Sequence, residues 1–149
     1  IECEYTIKPE YLMFKSLFIV NDKIDKLINN ITNETFKFVY VENTKNLYDI
    51  KIENEKHTLG NLIQSLLYNI FIREDNSKKI SYIGYRVEHP LEDSVIIRVQ
   101  INEKIKKDEI NIIFIDGLEE IQTQLRKLNK DWLEFCQLST KYANDLIDF

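Results

Sequence analysis

Cysteine is scarce in this chain of 149 residues, which holds only Cys3 and Cys136. They lie far apart and form no CxxC pair, so neither a disulfide framework nor a zinc site is expected, and the two thiols read as incidental ones of an intracellular protein. There is no apolar run of about 18 residues, so no membrane-spanning helix is expected. No signal peptide is visible; the chain opens on Ile1 rather than Met and reads as a fragment or a processed product. An excess of basic residues is also missing. Twenty Lys and Arg stand against 25 Asp and Glu, a net charge of −5 and a pI near 5.1. That balance argues against direct nucleic-acid contact as the main task. HExxH, GxSxG, P-loop and GxGxxG motifs are absent. The two histidines, His57 and His89, have no nucleophile or metal partner at a telling spacing, and the acidic residues form no DxD-type cluster. No catalytic residue, metal or cofactor is therefore expected.

The chain has a hydrophobic share of 44%, enough to bury a core. Its patterning predicts an α+β domain. Phe36–Val41 and Leu47–Ile52 are β-rich runs joined by a five-residue loop, Glu42–Asn46. Phe36, Phe38 and Tyr40 share one face, as do Tyr48, Ile50 and Ile52. A helix follows from Thr58, read as its N-cap, to about Ile72. Leu59, Leu62, Ile63, Leu66, Leu67 and Ile70 give it an apolar face, and Gly60 in its first turn implies a close approach by another backbone. Arg73–Lys79 is a polar loop. Ile80–Glu88 and Ser94–Asn102 form a second strand pair around the turn that holds Pro90. Ser81, Ile83, Tyr85 and Val87 alternate on one face, and Gly84 marks a bulge or a close approach. In the next strand Val95, Ile97, Val99 and Ile101 point inward; Arg98 points out, either to a partner's carboxylate or to solvent.

A last helix is predicted from about Glu109 to Leu146, with Asp108 able to cap it. Leu118, Ile121, Leu125, Leu128, Trp132 and Phe135 run along it with 3,4 spacing, a heptad seam. One small four-stranded sheet cannot cover so long a stripe, so part of it is expected to meet another chain. The order is β-β-α-β-β-α: an antiparallel four-stranded sheet, helices on one side, a long C-terminal helix. A strand–helix segment precedes it. Cys3, Tyr5 and Ile7 alternate as in a strand, Pro9 suits a first helical turn, and Met13, Leu17, Val20, Ile24, Leu27, Ile28 and Ile31 form a helical stripe.

His57-Thr58-Leu59-Gly60-Asn61 resembles the HTLGN signature of the small assembly subunit of archaeal and eukaryotic RNA polymerases, the subunit L family. Gly84-Tyr85-Arg86-Val87-Glu88-His89-Pro90-Leu91 and Val95–Gln100 resemble its GY…HP…LRIQ segment, in order and at the expected distance. Ile101 stands where the family pattern usually has Thr. The likeness covers about residues 34 to 149. It implies a non-catalytic subunit that pairs with a D-like domain through the signature helix and the long C-terminal helix, forming the platform for the large catalytic subunits. Carried onto this chain, the interface would take in His57, Thr58, Leu59, Gly60, Asn61, Leu62, Leu66, Gly84, His89, Pro90, Leu125, Leu128, Trp132 and Phe135.

Residues 1–31 resemble, in pattern, the end of the larger D-type assembly partner, with 34–149 as the L-like dimerisation domain. Joined in one chain, the two resemble polymerase subunits of large cytoplasmic DNA viruses. The plainer reading of 1–31 is an N-terminal helix that packs on the sheet. The site of action would be intracellular: the nucleus for a cellular eukaryote, host cytoplasm or virion for a virus. The competing function is a stand-alone α+β dimerisation or adaptor module unrelated to transcription. Trp132 and Phe135 are candidate anchors for a partner, with a place in the domain's own core as the alternative.

Overall fold

The computed structural model describes residues 9–74, 79–88, 93–103, 105–106 and 109–137. In chain order the elements are α1 (Pro9–Thr32), β1 (Val39–Tyr40), β2 (Leu47–Glu53), α2 (His57–Tyr68) with a π-helical turn at Asn69–Glu74, β3 (Ile80–Arg86), β4 (Ser94–Ile101) and α3 (Ile110–Phe135). The architecture is α+β, with one antiparallel sheet in the order β1-β2-β4-β3. The strand expected at Glu2–Ile7 lies outside the described residues. The last helix, expected to run on to about Leu146, instead ends at Phe135: Cys136 and Gln137 form a turn, Gln137 is left-handed at φ 54°, and its N–H donates to the Glu134 carbonyl; the residues after Gln137 lie outside the described ones.

The chain divides into two compact units, Lys26–Ile121 and a second formed from both chain ends. In the first, Tyr48, Ile50 and Ile52 of β2 and Val95, Ile97, Val99 and Ile101 of β4 are buried. They lie in register across the β2–β4 ladder, with Ile50 opposite Ile97 and Ile52 opposite Val95. Alternation along β2, and from Ile97 to Ile101 on β4, turns a mostly β-branched row to a common face; Ser94 and Ile96 on the other face of β4 are buried as well. Ile63 and Leu67 of α2 and Phe114, Leu118 and Ile121 of α3 are fully buried too, and the Phe114 ring meets Phe38 edge-on at 5.1 Å. Gly117 explains how closely the helices approach. A Cβ there would stand 2.6 Å from Leu67 Cδ2 and 2.6 Å from Phe71 Cε2, the latter carried by the π-helical turn. Gly117→Ala is therefore expected to lower stability by about 1–2 kcal/mol, the overpacking strain outweighing the better helix propensity of alanine. A urea titration of the purified chain checks this, and an unchanged midpoint would show that the helices separate freely.

Three other local expectations need correction. Only Val39–Tyr40 of the predicted strand Phe36–Val41 is paired. The preceding residues close the end of α1 instead: Thr35 and Phe36 N–H both donate to the Asn30 carbonyl, and Glu34 turns left-handed at φ 56°. The loop Glu42–Asn46 is as expected, with Val41 N–H donating to the Leu47 carbonyl at 2.9 Å. Thr58 is not the N-cap of α2. The helix begins at His57, Lys56 holds the cap position, and no side chain caps it. Nor is the irregularity of β3 at Gly84: the register shift lies between Ile80 and Tyr82. Ser81 is the extra residue, so Ile80 and Ile83 both turn inward while Ser81 is exposed. The later part of the α3 seam is exposed, as expected of a stripe longer than one small sheet covers. A straight helix drifts about 20° per heptad against a 3.5-residue repeat. Leu118, Ile121 and Leu125 are buried, but Leu128 and Phe135 are 47% and 81% exposed, and Leu133 is buried instead.

In the unit built from the chain ends, α1 and α3 run antiparallel. Trp132 Nε1 donates to the Glu10 carbonyl at 2.9 Å near one end, and Gln122 Nε2 to Asp25 Oδ1 at 2.6 Å near the other. Phe14 and Leu133 are buried between them, with Tyr11 and Trp132 packed alongside.

Candidate partner-binding surface

The two motif segments meet in space, and packing accounts for much of their composition. Gly60 is buried in the first turn of α2. A Cβ on it would lie 2.7 Å from Val95 Cγ2 and 2.8 Å from Tyr85 Cδ2. The close approach expected of another backbone at this glycine is thus made, within this chain, by side chains of its own sheet. Tyr85 also reaches His57: its hydroxyl lies 3.4 Å from His57 Nδ1 and the rings stand edge to face at 6.0 Å. Lys56 Nζ and Asp93 Oδ1 join the start of α2 to the start of β4 at 2.6 Å. The signature therefore works first as a latch holding one helix end on two strands. Gly84 follows the same logic on the opposite sheet face. There the Tyr82 ring folds along its own strand over the glycine, where a Cβ would come within 2.8 Å of Tyr82 Cζ.

The remaining candidate residues divide by exposure. Leu59 and Leu125 are buried in this chain's own core. His57, Thr58 and Asn61 are exposed, and Ser65 Oγ donates to Asn61 Oδ1 at 3.3 Å. Leu62 and Leu66 are half-buried on a flank of α2, beside the stripe Leu59, Ile63, Leu67 that enters the core. Leu128 and Phe135 are exposed on α3; Trp132 is half-buried and stacked on Phe135 at 6.1 Å. His89 and Pro90 lie outside the described residues. The outward apolar residues of α2 thus belong to one stripe, whereas those of α3 lie beside its contact with α1.

Arg98 points outward as expected, but the carboxylate it holds is the chain's own Asp49. Its Nε and Nη2 each donate to one Asp49 oxygen, both at 2.7 Å, from directly paired positions on β4 and β2. This fork, ahead of an opposing desolvation, raises the Arg98 pKa above its ordinary value. Arg86 stands 3.7 Å from Asp49 and 3.3 Å from Glu88, and Lys51 stands 3.9 Å from Glu88. These partly exposed charges form a cross-strand ladder on the sheet face opposite the helices. The more exposed pairs, Arg86–Glu88 and Lys51–Glu88, contribute under about 1 kcal/mol each; the bidentate Arg98–Asp49 fork, with Asp49 only 17% exposed, is the firm rung between β2 and β4. Sequence reasoning missed it because pairing across strands 49 residues apart leaves no local periodic signal.

The chemistry open to this surface is association. His57 sits beside a phenol, not beside a nucleophile–carboxylate pair. Among the described residues no three His, Cys, Asp or Glu side chains gather to hold a metal ion, and no helix is long and apolar enough to cross a membrane.

The family model for the RNA polymerase Rpb3/Rpb11 dimerisation domain matches residues 48–131, more than half of the chain. A relative from Dictyostelium discoideum, DNA-directed RNA polymerase II subunit rpb11, is 30% identical over 113 residues, covering 74% of this chain and 86% of that protein. The probable DNA-directed RNA polymerases I and III subunit RPAC2 of Caenorhabditis briggsae is 31% identical over 72 residues, or 48% of this chain and 45% of its own length. The archaeal subunit Rpo11 of Sulfurisphaera tokodaii is 28% identical over 76 residues, covering 51% and 74%. The chain thus spans about half the length of the nematode relative. With its antiparallel sheet, its signature helix latched to β3 and β4, and its long terminal helix, this chain belongs to the RNA polymerase Rpb3/Rpb11 dimerisation-domain family, as an L-type member.

Proposed function

We propose that the chain is a non-catalytic assembly component of a DNA-directed RNA polymerase. It pairs with a D-like subunit or domain, and the pair is the platform on which the large catalytic subunits assemble. The observation that carries this reading is the match of residues 48–131 to a dimerisation domain. The half-exposed Leu62 and Leu66 on α2 support it, because an apolar stripe left at a helix flank suits burial against a second helix. The net charge of −5 fits a component that leaves nucleic-acid phosphates to other subunits. The chain would work inside the cell, where that polymerase works.

A finer proposal concerns the N-terminal end. We read residues 1–31 as the tail of a D-type unit joined to an L-like domain over 34–149, the arrangement that resembles polymerase subunits of large cytoplasmic DNA viruses. In support, α1 lies wholly before the family match. Sequencing the source transcript upstream of Ile1 tests this proposal, and an upstream region without a D-like domain sinks it.

Leu62→Glu with Leu66→Glu tests the assembly reading. The double variant is expected to keep the wild-type circular dichroism spectrum and to bind a D-like partner at least about tenfold more weakly, roughly 1.4 kcal/mol. Surface plasmon resonance reads the affinity. Wild-type affinity would move the interface off α2. Affinity capture of the wild-type chain that recovers no large polymerase subunit would favour an adaptor outside transcription.

A further inference from the structure

Along the contact between α1 and α3 in the unit built from the chain ends, most inward side chains are apolar: Phe14, Leu17 and Ile24 on α1, Leu125 and Leu133 on α3. One level breaks the pattern. Gln122 is only 4% exposed, and its Nε2 donates to Asp25 Oδ1 at 2.6 Å and toward the Asn21 carbonyl at 3.5 Å. Arg126 Nη2 donates to Gln122 Oε1 at 3.4 Å, and Asn21 Nδ2 to Asp25 Oδ2 at 3.4 Å. Two further amide oxygens, Asn21 Oδ1 and Asn129 Oδ1, are buried without a hydrogen-bond partner.

Burying amides in a helix seam is a poor way to gain stability, since each polar group gives up water and two oxygens here recover nothing. Such groups do discriminate between alignments. An apolar seam tolerates a slip of one turn, because one aliphatic side chain replaces another. A buried amide bonded to a carboxylate at the seam's edge does not, because the slip carries the exposed Asp25 away and leaves the buried Gln122 without its acceptor. We propose that the Gln122–Asp25 bond is a register lock: it selects α1, in one alignment, as the occupant of the distal half of α3. A slipped α1 moves the carboxylate away from Gln122. A second copy's α3 offers no carboxylate at this level, since its inward positions are Leu125, Asn129 and Leu133. The lock therefore keeps the α3 seam from pairing with another α3, and it fixes where the exposed Leu128 and Phe135 stand along α1. This holds whether or not the chain works in a polymerase.

Trp132, the one tryptophan of the chain, reports on the alignment because its indole N–H is bonded to the Glu10 carbonyl. In nitrogen-15-labelled protein of full length, a single indole resonance is expected. Gln122→Met combined with Asp25→Leu removes the bond and roughly keeps the volume. That variant is expected to retain its helix signal and to unfold at an equal or higher temperature. Its indole resonance is expected to split into two or more peaks, or its light-scattering mass to rise toward twice the wild-type value. Asp25→Asn, which keeps an acceptor for Gln122, is expected to show one resonance and the wild-type mass. The proposal is overturned if the double variant shows one indole peak at wild-type mass. It is equally overturned if that variant loses its helix signal, since the bond would then supply stability rather than alignment, or if the wild type itself shows several peaks.

Discussion

Gly60→Leu is expected to cost more than about 3 kcal/mol of folding stability, at the upper end of overpacking in a filled core. The first added carbon already falls 2.7 Å from Val95 Cγ2 and 2.8 Å from Tyr85 Cδ2. Valine is stiff about χ1, and the Tyr85 ring also meets the His57 ring edge to face at 6.0 Å. Neither neighbour yields cheaply, so three further carbons must push α2 off the sheet. Gly60→Ala separates two opposing terms. Helix propensity favours alanine by about 1 kcal/mol, while one close carbon costs about 1–3 kcal/mol, leaving a small net loss. Urea unfolding of the chain without its partner reads both variants. A Leu variant with the wild-type midpoint and lost partner affinity would show that the glycine faces the partner after all.

Trp132→Ala is expected to lower stability by about 2–3 kcal/mol, toward the lower end for a large aromatic because the side chain is only half-buried. The loss combines the packing against the Phe14–Leu133 cluster with the bond from Nε1 to the Glu10 carbonyl. Trp132→Phe keeps most of the packing and drops the bond, so about 1 kcal/mol is expected for it. Thermal melts followed at the helix band of circular dichroism measure both. The rival expectation made Trp132 an anchor for another protein. An Ala variant that melts like the wild type but fails to bind a D-like partner would restore that role and remove the contact with α1 as its explanation.

Both predictions turn on residues that the sequence marks as unusual while leaving their neighbours open. Gly60 stands inside the first turn of a helix, where glycine costs about 1 kcal/mol against alanine, so a close approach was legible. Which backbone or side chain approached was not, because Val95 and Tyr85 come to it only through the pairing of β3 with β4. Trp132 stands on a regular seam, and a seam is the same pattern whether its cover is the chain's own helix or a partner's.

Alternation and spacing by themselves determined the order of elements, the paired faces of β2 and β4, the five-residue loop before β2 and the apolar stripe of α2, since period 2 and period 3.6 are set by backbone geometry alone. With the two motifs they also pointed to the family. Tertiary structure decided the rest. The closing turn of α1 shortened β1, since one backbone cannot serve a helix end and a ladder at once. The bulge at Ser81 reset the inward row of β3. The drift between a 3.5-residue pattern and a 3.6-residue helix moved Leu128 and Phe135 to the outside. The bonds from Arg98 to Asp49 and from Gln122 to Asp25 join residues far apart in the chain, and such pairs become neighbours only once sheet register and helix alignment are set.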